Sequence, residues 1–431
     1  MFEKTSTCEK AVSWRASGRR IRDARRGSAS GIGSEKRVRE TDRGDPRRNK
    51  GTARARRCYN SRMTSTNEKK ELFENTPVPR ALLKMAVPTI VSQLINLVYN
   101  LVDTIYIGQT GDAYKTAAVT LAFTVFMMTV SFSNLFGVGG GSLIARLSGR
   151  GETDQGRAVS AFSFYGAICV ALLYSLIIGV FMTPILNMLG ASANTLEFAK
   201  QYLFWVVVVG DVPIILSGCC AHLLRNAGYS KQAGIGLSMG GILNIILDPI
   251  FMFVLLPAGR EVEGAAIATL LSNVISCVYL LSCMVRVSKA SPLTIAPRHL
   301  KHLRGRDLKE LFSVGIPSAL LTALFDAANI VLNSLMAAHG DFELAAIGIV
   351  MKAERLPNAI NIGIGQAMLP LVAYNYGSGN YRRMNSFIRT ARIWGTVISI
   401  LTIVFYEIFA GPVCHLFLNV NAGAAAEAGA A

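Results

Sequence analysis

Four acidic side chains lie inside long apolar stretches of this sequence, where a charged group is costly and is therefore a candidate for function. They are Asp103, Asp211, Asp248 and Asp326. Asn244 precedes Asp248 by four residues, so the two side chains share one face of a helix. Carboxylate and amide oxygens suit a proton or Na⁺ better than a transition metal. The sequence therefore predicts an ion-binding role for some of these groups.

Most of these acidic residues also have a plainer interpretation that the sequence leaves open. Asp103 can cap the outer end of its helix, and Asp248, which precedes Pro249, can end a helical turn. Asp211 lies two residues before Pro213. It can line a cavity, or it can satisfy the backbone groups that the proline frees.

Nine apolar segments are long enough to hold these residues within a membrane, since a spanning helix needs roughly 20 mostly apolar residues. They cover about 83–107, 117–144, 158–183, 200–224, 232–256, 264–286, 311–337, 345–374 and 388–410. Only 16% of all residues are charged, against about 25% in soluble domains. We therefore predict an all-α polytopic membrane protein, which excludes a disordered chain and argues against a soluble enzyme.

Lys and Arg are divided unequally between the loops on the two sides of these segments. Twenty lie in the connecting segments on the same side as the N-terminus, and three lie in the connecting segments on the opposite side. Because cytoplasmic loops carry the excess of Lys and Arg, we expect a cytoplasmic N-terminus and a location in the plasma (inner) membrane.

A basic extension, residues 1–75, precedes the first apolar segment. Residues 1–62 carry twelve of the formal net charges of +17 and show no apolar periodicity, so we predict disorder there. The extension can be an arm for nucleic acid or anionic lipid, a transit peptide, or upstream sequence translated in error. We favour the last interpretation, with Met63 as the true start, and expect no nucleic-acid partner.

An internal repeat relates the first three segments to the last three. A nearly constant offset aligns Pro88 with Pro317, Asn100 with Asn329, Gly149 with Gly377, Phe181 with Phe409, and Pro184 with Pro412. Six spans separate the copies, so both have the same topology, as in parallel-repeat transporters. We predict two parallel-repeat lobes: six helices at 76–287, a basic cytoplasmic loop at 288–309, and an incomplete lobe of three helices at 310–418. A low-complexity tail, 419–431, follows this lobe. Three more spans would be needed to complete the second copy of the repeat, so we expect a truncated twelve-span protein.

Five stretches are similar to motifs of one transporter family. They are NLVDTIYIG at 100–108, LRNAGYSKQAG at 224–234, GILNIILDPIF at 241–251, GAAIATLLSN at 264–273 and LVAYNYGSGN at 371–380. On these motifs the chain resembles the multidrug and toxic compound extrusion (MATE) family of twelve-helix, cation-coupled drug antiporters. The resemblance implies export of amphipathic or cationic compounds and a site for H⁺ or transient Na⁺ at Asp103, Asn244, Asp248 and Thr269.

A promiscuous substrate cavity needs adaptable, polarizable walls. The candidates for its lining are Asp211, Asp326, Tyr99, Met127 and Met128. Asp326 lies in the seventh segment, where members of the family often carry an acidic residue for cationic substrates. The apolar candidates are equally typical of ordinary helix packing.

Three other functions remain open. A lipid-linked oligosaccharide flippase of related fold would place several basic residues in the cavity, and a truncated chain can be an inactive fragment or a membrane scaffold. A nucleic-acid-binding protein would use the basic arm and bind in a salt-sensitive way. For the favoured transporter we expect small-molecule substrates, a lipid bilayer and a monomer. We expect no enzymatic activity and no cofactor beyond the coupling ion.

Overall fold

The computed structural model describes residues 70–257, 259–339 and 341–428. Its long helices are α1 (Val78–Gly108), α2 (Ala113–Arg150), α3 (Thr153–Met188), α4 (Ala193–Leu203), α5 (Asp211–Asn226), α6 (Ser230–Pro249), α7 (Glu261–Val287), α8 (Gly305–His339), α9 (Asp341–Gly377) and α10 (Tyr381–Ala428). Two π-helical segments follow α4 and α6, at Phe204–Val209 and Ile250–Leu255. A short 3-10 helix covers Pro297–His302. Residues 1–69, with Met63, lie outside the described part of the chain.

Eight of the described helices are long and apolar enough to cross a membrane. Helices α4 and α5 form a ninth candidate span, which bends by 54°. Pro213 lies one turn after the bend and has no backbone N–H to donate, which weakens the helical hydrogen bonding there. The described chain thus agrees with the nine segments predicted from hydropathy, and the fourth is a broken span.

Helices α1 to α7 pack together, and we call them the six-span bundle. Its apolar core has two clusters toward opposite ends of α2. One contains Leu147 and Leu223, and the other contains Val119 and Val206. The acidic residues of this bundle are therefore held within a framework of closely packed apolar side chains.

Helices α8 to α10 form the second group, the three-span bundle. Helix α8 packs along α2, and α9 packs along α1 and α2. Under the repeat, α1 corresponds to α8 and α2 corresponds to α9. The α2–α8 and α1–α9 contacts are therefore equivalent, as a two-fold relation between the repeats requires.

The repeat predicted from the sequence is also visible in the backbone. Phe181 in α3 leaves the helical conformation, with φ −105° and ψ 20°. Phe409 in α10 does the same, with φ −110° and ψ 19°. Each kink lies three residues before a proline, Pro184 or Pro412, as expected where a proline ring removes a helical hydrogen bond. Two aligned positions thus share an irregular conformation as well as a residue type.

Two repeat-related glycines allow the bundles to approach closely. A Cβ atom at Gly149 of α2 would collide with the carbonyl oxygen of Tyr374 in α9. A Cβ atom at Gly377 of α9 would collide with the carbonyl oxygen of Arg146 in α2. The two contacts are reciprocal, so the last turns of α2 and α9 cross where only glycine fits.

The basic extension ends earlier than the sequence analysis placed it. Leu72 and Phe73 are buried and belong to a cluster with Leu371 and Phe387. Arg383 donates hydrogen bonds to the carbonyl oxygens of this short segment, including that of Phe73 at 2.9 Å. Leu72 and Phe73 are therefore part of the folded chain.

Two later boundaries also differ from the sequence-based ones. Helix α8 begins at Gly305, inside the expected loop, because the carboxylate of Asp307 accepts the backbone N–H of Arg304 at 3.1 Å. Helix α10 continues to Ala428, through most of the expected tail. Alanine has the highest helix propensity, which favours a helix in this Ala-rich sequence.

Candidate functional site

Helices α6 and α7 bring three polar side chains together in the core of the six-span bundle. Asn244 and Asp248 lie one turn apart on α6 and are 2% and 0% exposed. The Asn244 Nδ2 group donates to Asp248 Oδ1 at 2.9 Å and approaches Thr269 Oγ1 of α7 at 3.3 Å. The amide therefore links the two helices and fixes the direction of the carboxylate.

Helix α1 supplies the second carboxylate of this group. Asp103 interacts electrostatically with Asp248, so α1 and α6 place the two carboxylates near each other. Tyr99 lies one turn before Asp103 on α1, and its phenol interacts with both carboxylates. The structure thus brings together the four ion-site residues implied by the resemblance, and it adds Tyr99, which had been assigned to the substrate cavity.

Tyr202 of α4 is a member of this group that sequence reasoning missed. It is 4% exposed, and its hydroxyl lies beside Thr269. It also interacts with Asp103 and Asp248. A tyrosine inside an apolar span carries no charge to mark it, so only the packing of α4 against α7 reveals its position. We call Tyr99, Asp103, Tyr202, Asn244, Asp248 and Thr269 the oxygen cluster.

Three oxygen atoms of the oxygen cluster are buried without a hydrogen-bond partner among the residues that the structure describes. They are Oδ1 of Asp103, Oδ1 of Asn244 and Oδ2 of Asp248. Buried acceptors without partners are costly, and a proton or a small cation would satisfy them. The donor set of carboxylates, an amide and hydroxyls suits H⁺ or Na⁺. Among the described residues, no group of three or more His, Cys, Asp and Glu side chains forms a cluster suited to another metal ion.

The two π-helical segments lie immediately beyond the oxygen cluster. Phe204–Val209 begins two residues after Tyr202, and Ile250–Leu255 begins two residues after Asp248. π-helical turns are uncommon and occur frequently at functional sites, because the wider turn changes the direction of side chains and leaves backbone groups adjustable. Both π-helical segments of the described chain thus adjoin the same polar group.

Asp211 forms a separate acidic position at the bend of the fourth span. It is 0% exposed and lies beside Thr129 of α2, with Tyr174 of α3 also near its charge. No backbone group of the described residues donates a hydrogen bond to either carboxylate oxygen, so Asp211 does not satisfy the backbone groups near Pro213. The structure does not place Asp211 with the oxygen cluster.

The remaining substrate candidates are dispersed. Asp326 of α8 is partly buried, has one buried oxygen without a partner, and interacts with Arg355 of α9. Met127 packs against the apolar cluster around Val119, whereas Met128 is 44% exposed. Only Asp326 lies in the three-span bundle, so the candidates do not form one continuous wall.

Comparison with known sequences gives one family. A profile described as MatE matches residues 88–250 and 317–429. The multidrug export protein MepA of Staphylococcus aureus is 32% identical over 317 residues, which are 74% of this chain and 68% of that protein. MepA of Staphylococcus saprophyticus is 30% identical over 313 residues, which are 73% and 68% of the two chains.

Comparison with solved structures agrees with the sequence matches. The fold is similar to a structure described as the outward-facing conformation of a multidrug resistance MATE family transporter of the MOP superfamily. The TM-score is 0.75 at 26% sequence identity, and the similarity covers 82% of this chain and 77% of the other. The all-α fold and the polytopic membrane character predicted from the sequence are thereby confirmed.

Proposed function

Because the chain belongs to the MatE family of membrane transporters, we propose that it is a multidrug efflux transporter that exchanges H⁺ or Na⁺ for amphipathic or cationic compounds. It is a transporter and not an enzyme. The observation that carries the proposal of ion coupling is the oxygen cluster, where three buried oxygens have no hydrogen-bond partner in the described part of the chain. Such a group is costly in an apolar bundle unless an ion or proton completes it.

The coupling follows from the two carboxylates. When the oxygen cluster is empty, the charges of Asp103 and Asp248 repel each other across the α1–α6 contact. A bound cation or proton removes that repulsion and allows α1 to move closer to α6. If drug binding favours the arrangement without the ion, the two ligands compete, as exchange requires.

The substrate path lies between the two bundles in this proposal. Asp326 provides a negative charge there, and its interaction with Arg355 can be replaced by one with a cationic substrate. The N-terminus faces the cytoplasm according to the distribution of Lys and Arg. In this proposal the transporting unit is a monomer in the plasma membrane, because all six residues of the oxygen cluster belong to the same chain.

The decisive experiment is transport of a fluorescent organic cation into or out of proteoliposomes that contain the purified full chain. One set receives an inward Na⁺ gradient at equal pH, and a second receives a pH gradient without Na⁺. We expect one gradient to drive exchange in the wild-type chain. The D103N/D248N double variant should lose that response, whereas Asp154→Asn, at an exposed ion-paired position, should keep it. No response of the wild-type chain to either gradient would contradict ion coupling.

A further inference from the structure

A groove runs between α1 and α6 on the outside of the six-span bundle. Its volume is about 600 Å³, and its lining is apolar except for Lys231 at one end and Ser238 partway along. Val91, Ile235 and Ile242 line it and are nearly half exposed, so the groove is open on its outer side in the described chain. Close helix contact forms its floor, because a Cβ atom at Gly234 would collide with the carbonyl oxygen of Pro88.

The two helices present matching patterns to this groove. On α1, Pro88, Val91 and Ile95 line the groove at successive turns, and Lys84 lies one turn before Pro88 on the same face. On α6 the same spacing gives Lys231 followed by Ile235, Ser238 and Ile242, all of which line the groove.

The two lysines lie at the same end of the groove. Helices α1 and α6 run parallel and in register, because Gly234 meets Pro88 and Gly241 meets Ile95. Lys84 and Lys231 are therefore at one level, at the end that the distribution of Lys and Arg assigns to the cytoplasm. Both are exposed, and neither forms an ion pair with any residue of the described chain. A long apolar channel thus ends at two unpaired positive charges.

We propose that this groove binds an anionic phospholipid of the cytoplasmic leaflet, with one acyl chain along α1 and α6 and the phosphate between Lys84 and Lys231. The volume is within the usual range of ligand sites, about 300–1,000 Å³. Basic pockets between spanning helices on this side of a membrane suit anionic headgroups. A cationic drug is a poor occupant, because the two lysines repel it. A phospholipid alone combines the long apolar part and the terminal anion that the groove matches.

The test is lipid binding by the purified full chain, measured by native mass spectrometry. The chain is titrated with phosphatidylglycerol or with phosphatidylcholine of identical acyl chains, and bound lipids are counted. We expect tighter binding of phosphatidylglycerol. Since a basic residue near the headgroups contributes about fivefold in affinity, K84A/K231A should weaken phosphatidylglycerol binding by about 25-fold and leave phosphatidylcholine almost unchanged.

Two controls separate this site from general surface charge. K301A/K309A removes two exposed lysines of the same side, away from the groove, and should leave the high-affinity lipid in place. Ile235→Trp fills the groove at an exposed position. It should weaken the binding of both lipids, although Lys84 and Lys231 are unchanged. Circular dichroism confirms that the variants remain helical.

Several outcomes would overturn the proposal. They are equal affinity for the two lipids in the wild-type chain, equal losses in K84A/K231A and K301A/K309A, and unchanged binding in Ile235→Trp. The inference does not depend on transport, so D103N/D248N should retain the lipid preference even if ion coupling is absent. Loss of lipid preference and loss of coupling are thus measured separately.

Discussion

The six-span and three-span bundles share a backbone repeat but carry their acidic residues in different ways. In the six-span bundle, Asp248 is fully buried and accepts a hydrogen bond from Asn244. In the three-span bundle, Asp326 is partly buried and interacts with a basic residue, Arg355. The repeat aligns Asp103 with Leu332, so the carboxylate pair has no counterpart in the second copy.

The difference indicates which features the repeat preserves. The paired kinks at Phe181 and Phe409, and the reciprocal contacts of Gly149 and Gly377, belong to the framework. The polar groups that we propose to bind the ion are not duplicated in the same way. We therefore assign the ion to the six-span bundle and charge selection of substrates to the three-span bundle, and this division can be tested by substitutions in each.

The largest effect is expected from Asp248→Asn. The amide keeps the shape of the side chain but removes the charge that binds a cation or proton. Ion-driven efflux should fall about 10- to 100-fold, within the usual range of coupling free energies. Initial rates in proteoliposomes with and without the ion gradient provide the measurement.

Asp211→Asn is the matched control for this variant. Asp211 is as deeply buried as Asp248 but lies beside Thr129, outside the oxygen cluster. The control variant should still respond to the ion gradient, even if its drug preference changes. Equal loss of the gradient response in both variants would show that any buried carboxylate of this bundle matters and would remove the distinction between the two positions.

Asn244→Ala should have the next largest effect. It removes the amide that holds Asp248 and approaches Thr269. A hydrogen bond to a charged group contributes about 1.5–3 kcal/mol, so the Na⁺ concentration for half-maximal transport should rise by about tenfold or more if Na⁺ is the coupling ion. If H⁺ is the coupling ion, that concentration should fall instead, because the lost donor no longer stabilises the ionised carboxylate. Asn273→Ala removes an amide that donates only to a backbone carbonyl of α7, and it should leave that concentration near its original value. The reverse order of effects would place the ion elsewhere.

Thr269→Val should produce a smaller change in the same quantity. Valine has nearly the shape of threonine but lacks the hydroxyl that faces Asn244 and Tyr202. Loss of one neutral hydrogen bond costs about 1 kcal/mol, so we expect the ion concentration for half-maximal transport to change about fivefold. Thr402→Val changes a hydroxyl that donates to the carbonyl of Ile398 in α10 and serves as the control. An effect of Thr402→Val equal to that of Thr269→Val would argue for general helix loosening.

The sequence was sufficient to predict the parts of this site that follow from the free-energy cost of burying a charge and from helical spacing. Burial of a charge marked Asp103 and Asp248, and helical periodicity placed Asn244 beside the latter. Tyr202 was not identifiable, because an uncharged aromatic residue in an apolar span is typical of packing and its partner Thr269 lies on another helix. The bend of the fourth span and the start of α8 at Gly305 likewise depend on contacts or local capping that hydropathy does not contain.

The smallest effect is expected from Asp326→Asn, in the three-span bundle. A partly exposed charge contributes up to about 1 kcal/mol, so the half-saturating concentration of a cationic drug should rise up to about fivefold. A neutral amphipathic drug and the ion dependence should both be unchanged. Arg355→Gln should act in the opposite direction, because it leaves Asp326 free to attract a cation. The half-saturating concentrations of cationic drugs are measured by competition in the same vesicles. If they shift in opposite directions in the two variants, the three-span bundle selects substrate charge. Parallel shifts in both variants, or an altered ion dependence in Asp326→Asn, would place both functions in both bundles.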